Sequence, residues 1–190
     1  MYNTKGILSR IVGEKAATIA DFYNLETGGG TWAIDASGAS ATAGTSNILQ
    51  HLVGGFNDQK VTAVLKTSNV AGAERLGVMA RFLTNKTGNA TYYYLQNQLG
   101  TARIQKVVDG VFTTLASGTY ALAAGTEYTF TLSVVGSSLV GRIDDGAGNA
   151  IDLSASDSSI AGPGICGARS GPTTSTQISV KSIKTEQILS

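Results

Sequence analysis

The sequence predicts an all-β domain, with two antiparallel sheets packed face to face. From Leu76 to Gly167, short apolar-alternating segments are separated by Gly, Asn and Asp at turn spacing. The clearest segment places Tyr128, Phe130, Leu132 and Val134 on one face and Thr129, Thr131, Ser133 and Val135 on the other. After Ala20 no ten-residue stretch carries an amphipathic helical pattern, and no repeat of solenoid period runs along the chain.

Composition agrees with one turn-rich domain. The chain has 190 residues, of which 42% are hydrophobic, enough for a substantial core. Only 14% are charged, against an average of about 25%, and there are 24 glycines, nearly twice the usual share of about 7%. A net charge of +1 without any Lys/Arg run supplies no basic stripe, so neither nucleic acid nor an anionic membrane is expected as a partner. Cys166 is the single cysteine, which excludes an intramolecular disulfide and is expected to be a buried thiol. Met1 to Glu14 lacks the apolar run of a secretory signal, and no segment approaches the ~20 apolar residues of a membrane span. The expected product is soluble and made inside a cell, with no cofactor.

Residues 1–19 do not share the later two-residue period. Leu8, Ile11, Val12 and Ile19 have loose helical spacing interrupted by Gly13. This stretch is read either as an arm or docking segment, or as a frayed terminus or first strand such as Gly6 to Val12. The sandwich domain is assigned to residues 20–190. Its elements begin with Thr31 to Asp35 around Trp32. A Gly/Ala/Ser/Thr-rich stretch to Ser46, read as a hairpin region with a long polar loop, leads to Ile48–Val53. Alternation in Val61–Lys66 and in Leu76–Leu83 predicts the next two strands. In the latter, Met79, Arg81 and Leu83 are set against Val78, Ala80 and Phe82. Tyr92–Gln96 and Ala102–Val108 flank a turn at Asn97–Thr101. Asp109-Gly110 has the chemistry of a two-residue hairpin, returning Val111–Ala116. Glu127–Val135 turns at Gly136-Ser137-Ser138 into Leu139–Ile143. Ile151–Leu153, Ile165–Ala168 and a last strand through Ile178, Val180 and Ile183 complete the set. Phe82, Tyr93, Phe130, Leu132 and Ile165 are the expected core.

These segments occur in an order that resembles the concanavalin A-like, laminin-G-like jelly rolls of phage structural proteins and bacterial glycan-associated proteins. The resemblance runs from about Ala20 to Glu186. It rests on Thr31-Trp32-Ala33-Ile34, Gly77 to Phe82, Tyr92-Tyr93-Tyr94-Leu95 and Ile104 to Gly110, then on Gly125 to Tyr128, Val134 to Leu139 and Gly164 to Gly167. It implies a two-sheet antiparallel jelly-roll sandwich with one concave face, which binds sugars in some relatives. Retaining glucanases of this broad fold set carboxylates in a Glu-x-Asp-x-Glu pattern, about 5 Å apart on one strand face. No such triplet occurs here, and Asp144 and Asp145 are neighbours that a strand would aim at opposite faces. No hydrolase is expected, and no catalytic residue is assigned.

Two other chemistries are weighed against plain structural roles. His51 is the only histidine and has no Gly-x-Ser-x-Gly elbow beside it, which leaves it a strand histidine. Asp144, Asp145 and Asn149 could offer oxygen ligands, but Asp-Asp-Gly-Ala-Gly-Asn is ordinary hairpin chemistry and no metal is assigned. The candidate glycan residues are Trp32, Arg81, Tyr92, Tyr94 and Gln96, because sugar C–H faces stack on aromatic rings while amides and guanidinium groups bond the hydroxyls.

Two functions are therefore expected. The first is a virion structural protein, a bacteriophage capsid decoration or minor coat subunit assembled in the host cytoplasm. It would contact major capsid or tail proteins as a homo-oligomer and use Leu8, Ile11 and Val12 for assembly. The second is a carbohydrate-binding module or phage receptor-binding lectin, without catalytic activity, that holds a surface polysaccharide.

Overall fold

The computed structural model describes residues 22–26, 32–35, 38–41, 47–70, 75–84, 90–171 and 178–189. Its strands are β1 (Phe22–Glu26), β2 (Trp32–Asp35), β3 (Gly38–Ala41), β4 (Asn47–Phe56), β5 (Gln59–Thr67), β6 (Arg75–Thr84), β7 (Ala90–Gln98), β8 (Thr101–Val108), β9 (Val111–Thr119), β10 (Glu127–Val135), β11 (Ser138–Asp144), β12 (Ala150–Ser156), β13 (Gly164–Gly171) and β14 (Ile178–Gln187). No helix occurs among the described residues. Sheet A has the order β1-β4-β13-β6-β7-β8-β9 and sheet B the order β12-β11-β10-β5-β14-β3-β2. Every pairing is antiparallel. The polar hairpin region holds β3, paired with β2, and the short Ile151–Leu153 segment lies within the longer β12. The proposed boundary near Ala20 and the residues Leu8, Ile11 and Val12 lie outside the described residues.

Alternation in sequence becomes burial in space. Tyr128, Phe130, Leu132 and Val134 of β10 face the space between the sheets, where they meet Val61, Ala63 and Leu65 of β5 and Val78, Ala80, Tyr93 and Leu95 of sheet A. Each large side chain fully removed from water contributes roughly 1.5–3 kcal/mol before its ordering cost. The turns also follow the chain's chemistry. Both residues of Asp109-Gly110 have positive φ, 50° and 83°, the type I′ geometry whose twist matches the flanking strands β8 and β9. Leu99-Gly100 makes the same turn between β7 and β8, with φ of 50° and 71°. Leucine gave no hint of it.

One expected face assignment is wrong. The register of β6 against β7 shifts between Ala80 and Leu83, and Arg81 takes a φ of 52°. The extra residue of this bulge reverses the parity beyond it. Phe82 therefore leaves the side of Val78 and Ala80 and joins Met79, Tyr92, Tyr94 and Val107 in a second apolar cluster on the other face of sheet A, with half-buried Ile165 beside them. The Arg81 guanidinium turns to the end of the sandwich. Its Nε donates to the Asn57 carbonyl at 2.8 Å, its Nη1 to the Ile160 carbonyl at 3.0 Å and its Nη2 to Asp58 Oδ1 at 3.3 Å.

Candidate functional site

The outer face of sheet A, opposite the core, is assembled in cross-strand rows. Directly opposed residues of antiparallel strands share a face, so the pairings Arg169↔Gly77, Gly77↔Gln96, Gln96↔Arg103 and Arg103↔Ser117 form one row. Gly167, Met79, Tyr94, Gln105 and Thr114 form the next. Beyond it, Tyr92 pairs with Val107 and Val107 with Phe112.

This face is concave. Arg169 on β13 and Phe112 on β9 are separated by β6, β7 and β8, about 19 Å across a flat sheet at the usual strand spacing. The Arg169 guanidinium carbon nevertheless lies 5.0 Å from the Phe112 ring centroid and 5.6 Å from that of Tyr94. Only a curled and twisted sheet brings them together. Arg75 reaches the same Phe112 ring at 6.0 Å. Cation–π contacts of this kind are worth about 0.5–2 kcal/mol, rising with desolvation, and here they close a roof over the groove.

Under the roof, the Tyr94 hydroxyl donates to the Arg169 carbonyl at 3.1 Å, and burial pushes the Tyr92 and Tyr94 phenols above their ordinary range. Gln96 Nε2 donates to Gln105 Oε1 at 2.7 Å, and Gln105 Nε2 donates to Thr114 Oγ1 at 3.0 Å. Gln96 Oε1 and Arg103 Nη1 are buried and make no hydrogen bond among the described residues.

Of the five residues expected from sequence to hold a glycan, the structure brings three together. Tyr92, Tyr94 and Gln96 share the groove, but they are 2%, 0% and 3% exposed and line its floor instead of an open platform. Arg81 is diverted to the sheet end by the bulge, and Trp32 lies on β2, the edge strand of the other sheet. The ring presented to solvent is Phe112, 38% exposed, and sequence reasoning did not single it out. Nor did it find Arg75, Arg103 or Arg169. Alternation in Ala102–Val108 would set Arg103 and Gln105 opposite Ala102 and Ile104, but nothing local signals that β9 and β13 converge.

The remaining candidates are structural. Asp145 Oδ1 accepts from Ala147 N at 2.8 Å and Asn149 N at 3.0 Å, and Asp144 Oδ1 accepts from Gly146 N at 2.6 Å, the pattern of a side-chain-stabilised turn. The Gly146 amide and then Arg142 hold the Asp144 carboxyl below the usual range. Cys166 is buried, burial pushes its thiol up to about 12, and its S–H donates to Gln59 Oε1 at 2.6 Å. His51 on β4 stands in register opposite Cys166. β6, β7, β8, β9 and β13 contain no Asp or Glu, so these strands offer no carboxylate pair for glycosidic cleavage.

No family model matches the sequence, and no curated protein matches it. Solved structures do. The carbohydrate-binding module CBM66 from Bacillus subtilis superposes with a TM-score of 0.68 at 15% identity, covering 88% of this chain and 96% of that one. The exoplasmic/lumenal domain of VIP36, in a form bound to Ca2+ and Man3GlcNAc, gives 0.58 at 14% identity over 90% of this chain and 84% of its own. A sialidase gives 0.61 at 9% identity over 89% of this chain but only 17% of its own length. At these identities the likeness is one of fold, and the fold is the concanavalin A-like jelly roll expected from the sequence.

Proposed function

We propose that this chain is a non-catalytic carbohydrate-binding domain whose glycan site is the concave outer face of sheet A. The observation that carries the reading is the groove itself. An exposed aromatic ring, Phe112, belongs to the row beside an amide relay, Gln96 to Gln105 to Thr114, and two buried polar atoms, Gln96 Oε1 and Arg103 Nη1, have unused hydrogen-bonding capacity. That is the chemistry a sugar requires: an apolar ring for its C–H face and directed polar groups for its hydroxyls. The carbohydrate-binding module and the glycan-bound lumenal domain among the structural neighbours add support at the level of fold. The virion role, with assembly in a bacterial cytoplasm and contacts to capsid or tail proteins, rests on sequence features alone, and no described residue adds support to it.

A glycan array, followed by affinity electrophoresis of wild type and Phe112→Ala, tests the reading. Wild type should be retained on at least one glycan. The variant, with an unchanged far-UV circular dichroism spectrum, should bind about three- to tenfold more weakly, the value of one stacking contact. Silence across the array would overturn the proposal.

A further inference from the structure

We infer that the glycan bound in this groove is acidic, carrying a carboxylate or sulfate on the sugar. The inference deepens the glycan-binding reading and rests on it. Its first ground is charge. The five strands that form the groove, β6, β7, β8, β9 and β13, bear Arg75, Arg81, Arg103, Lys106 and Arg169 and not one carboxylate. Two of these cations are occupied away from the groove, Arg81 with Asp58 and Lys106 with Asp157. Arg75, Arg103 and Arg169 are on the concave side, in a chain whose net charge is only +1. Among the described residues no carboxylate pairs with Arg75 or Arg103.

The second ground is geometric. Arg75 and Arg169 both lie within 6.0 Å of one ring centroid, so two like charges share the Phe112 ring. A ring face is a weak partner for a guanidinium compared with an oxyanion, which accepts paired charge-assisted hydrogen bonds. An acidic sugar can therefore draw the Arg75 guanidinium off the ring, and the freed surface of Phe112 can stack on the sugar. The third ground is complementarity in the floor. Gln96 Oε1 and Arg103 Nη1 sit side by side in one cross-strand row, one an unused acceptor and the other an unused donor. Together they match a hydroxyl next to an anionic oxygen.

The experiment pairs acidic probes with neutral counterparts: polygalacturonate with its methyl ester, sialyllactose with lactose, and dextran sulfate with dextran. Binding is measured with wild type, Arg103→Gln and Arg75→Gln. At least one acidic probe should bind at least tenfold more tightly than its counterpart, and tightly enough to weaken visibly between 50 and 500 mM salt, roughly the range over which screening removes exposed charge attraction. Arg103→Gln should lose about ten- to a hundredfold on that probe, and with it the preference over the neutral counterpart. Retention on dextran sulfate alone assigns sulfate, and retention on polygalacturonate or sialyllactose assigns carboxylate. Should Arg103→Gln fail to fold, Arg75→Gln at the rim and the salt dependence of wild type separate the same outcomes. Equal binding to acidic and neutral partners, or retention of neutral glycans only, overturns this inference and leaves the glycan-binding reading intact. Silence on these probes and on the full array overturns both.

Discussion

Replacing Arg81 tests whether the bulge in β6 is held by its side chain or merely tolerated. In Arg81→Ala, the carbonyls of exposed Asn57 and buried Ile160 lose charge-assisted hydrogen bonds of 2.8 and 3.0 Å, and Asp58 loses its ion-pair partner. Each such bond is worth about 1.5–3 kcal/mol, while the Asp58 contact is long and adds little, so the expected loss is roughly 3–5 kcal/mol. Arg81→Gly loses the same bonds but relieves the φ of 52°, which costs a side-chain-bearing residue roughly 1–2 kcal/mol. After allowance for glycine's greater freedom in the unfolded chain, the Gly variant should be the more stable of the two by about 1 kcal/mol. Urea unfolding followed by far-UV circular dichroism measures both. With a slope near 2 kcal/mol/M, Arg81→Ala should shift the midpoint down by about 1.5–2.5 M. An Ala variant within 1 kcal/mol of wild type would refute the anchoring role, and a Gly variant less stable than Ala would refute the strain.

Two further predictions concern the same scaffold. Phe130→Ala, at the centre of the core between β5 and β11, should cost about 3–5 kcal/mol by leaving a cavity, read from the same urea midpoints. Near wild-type stability would mean that the site collapses around the gap. Asp157 makes stability depend on acid. Burial alone would raise its carboxyl, but hydrogen bonds from Lys106 at 2.8 Å, from the Ser159 hydroxyl and amide and from the Tyr93 hydroxyl outweigh that and hold it far below the usual carboxylate range. A lowered folded-state pKa gives stability that is present above the unfolded value of about 3.9 and lost as pH falls through the folded value. Midpoints should therefore decline below about pH 4 in wild type and decline less in Asp157→Asn, which starts lower at pH 7; parallel pH profiles would refute the linkage.

The fold was legible wherever one residue in two is apolar and the turn chemistry is local. Glu127–Val135 and the Asp109-Gly110 hairpin lie where the sequence puts them, because burial on one face and positive φ in a tight turn each leave a direct mark on composition. Tyr92, Tyr93 and Tyr94 erase that mark, being apolar on both faces, and so gave no sign that the outer face is itself packed. The Arg81 bulge was invisible because one inserted residue reverses parity without changing which residue types are present. The candidate groove was half legible. Tyr92, Tyr94 and Gln96 follow from alternation on one strand, but the meeting of Phe112 with Arg169 depends on the curl of five strands, a property of the whole sheet.

The strand order carries a consequence for how this chain folds. β1 and β4 reach the rest of sheet A only through β13, and β2 and β3 reach the rest of sheet B only through β14. Strands made early in synthesis are thus joined to both sheets by two made late. The segment from β5 to β12 holds the local pairings, which close quickly because their loops are short, whereas the β4–β13 and β3–β14 pairings span most of the chain and carry the larger loop-closure cost. During synthesis the β1–β4 and β2–β3 pairs wait detached from their sheets until translation has passed β13 and β14, and the Arg169 wall of the groove arrives in that same late step. A ribosome-bound chain halted before Gly164 would hold the floor of the groove without its wall.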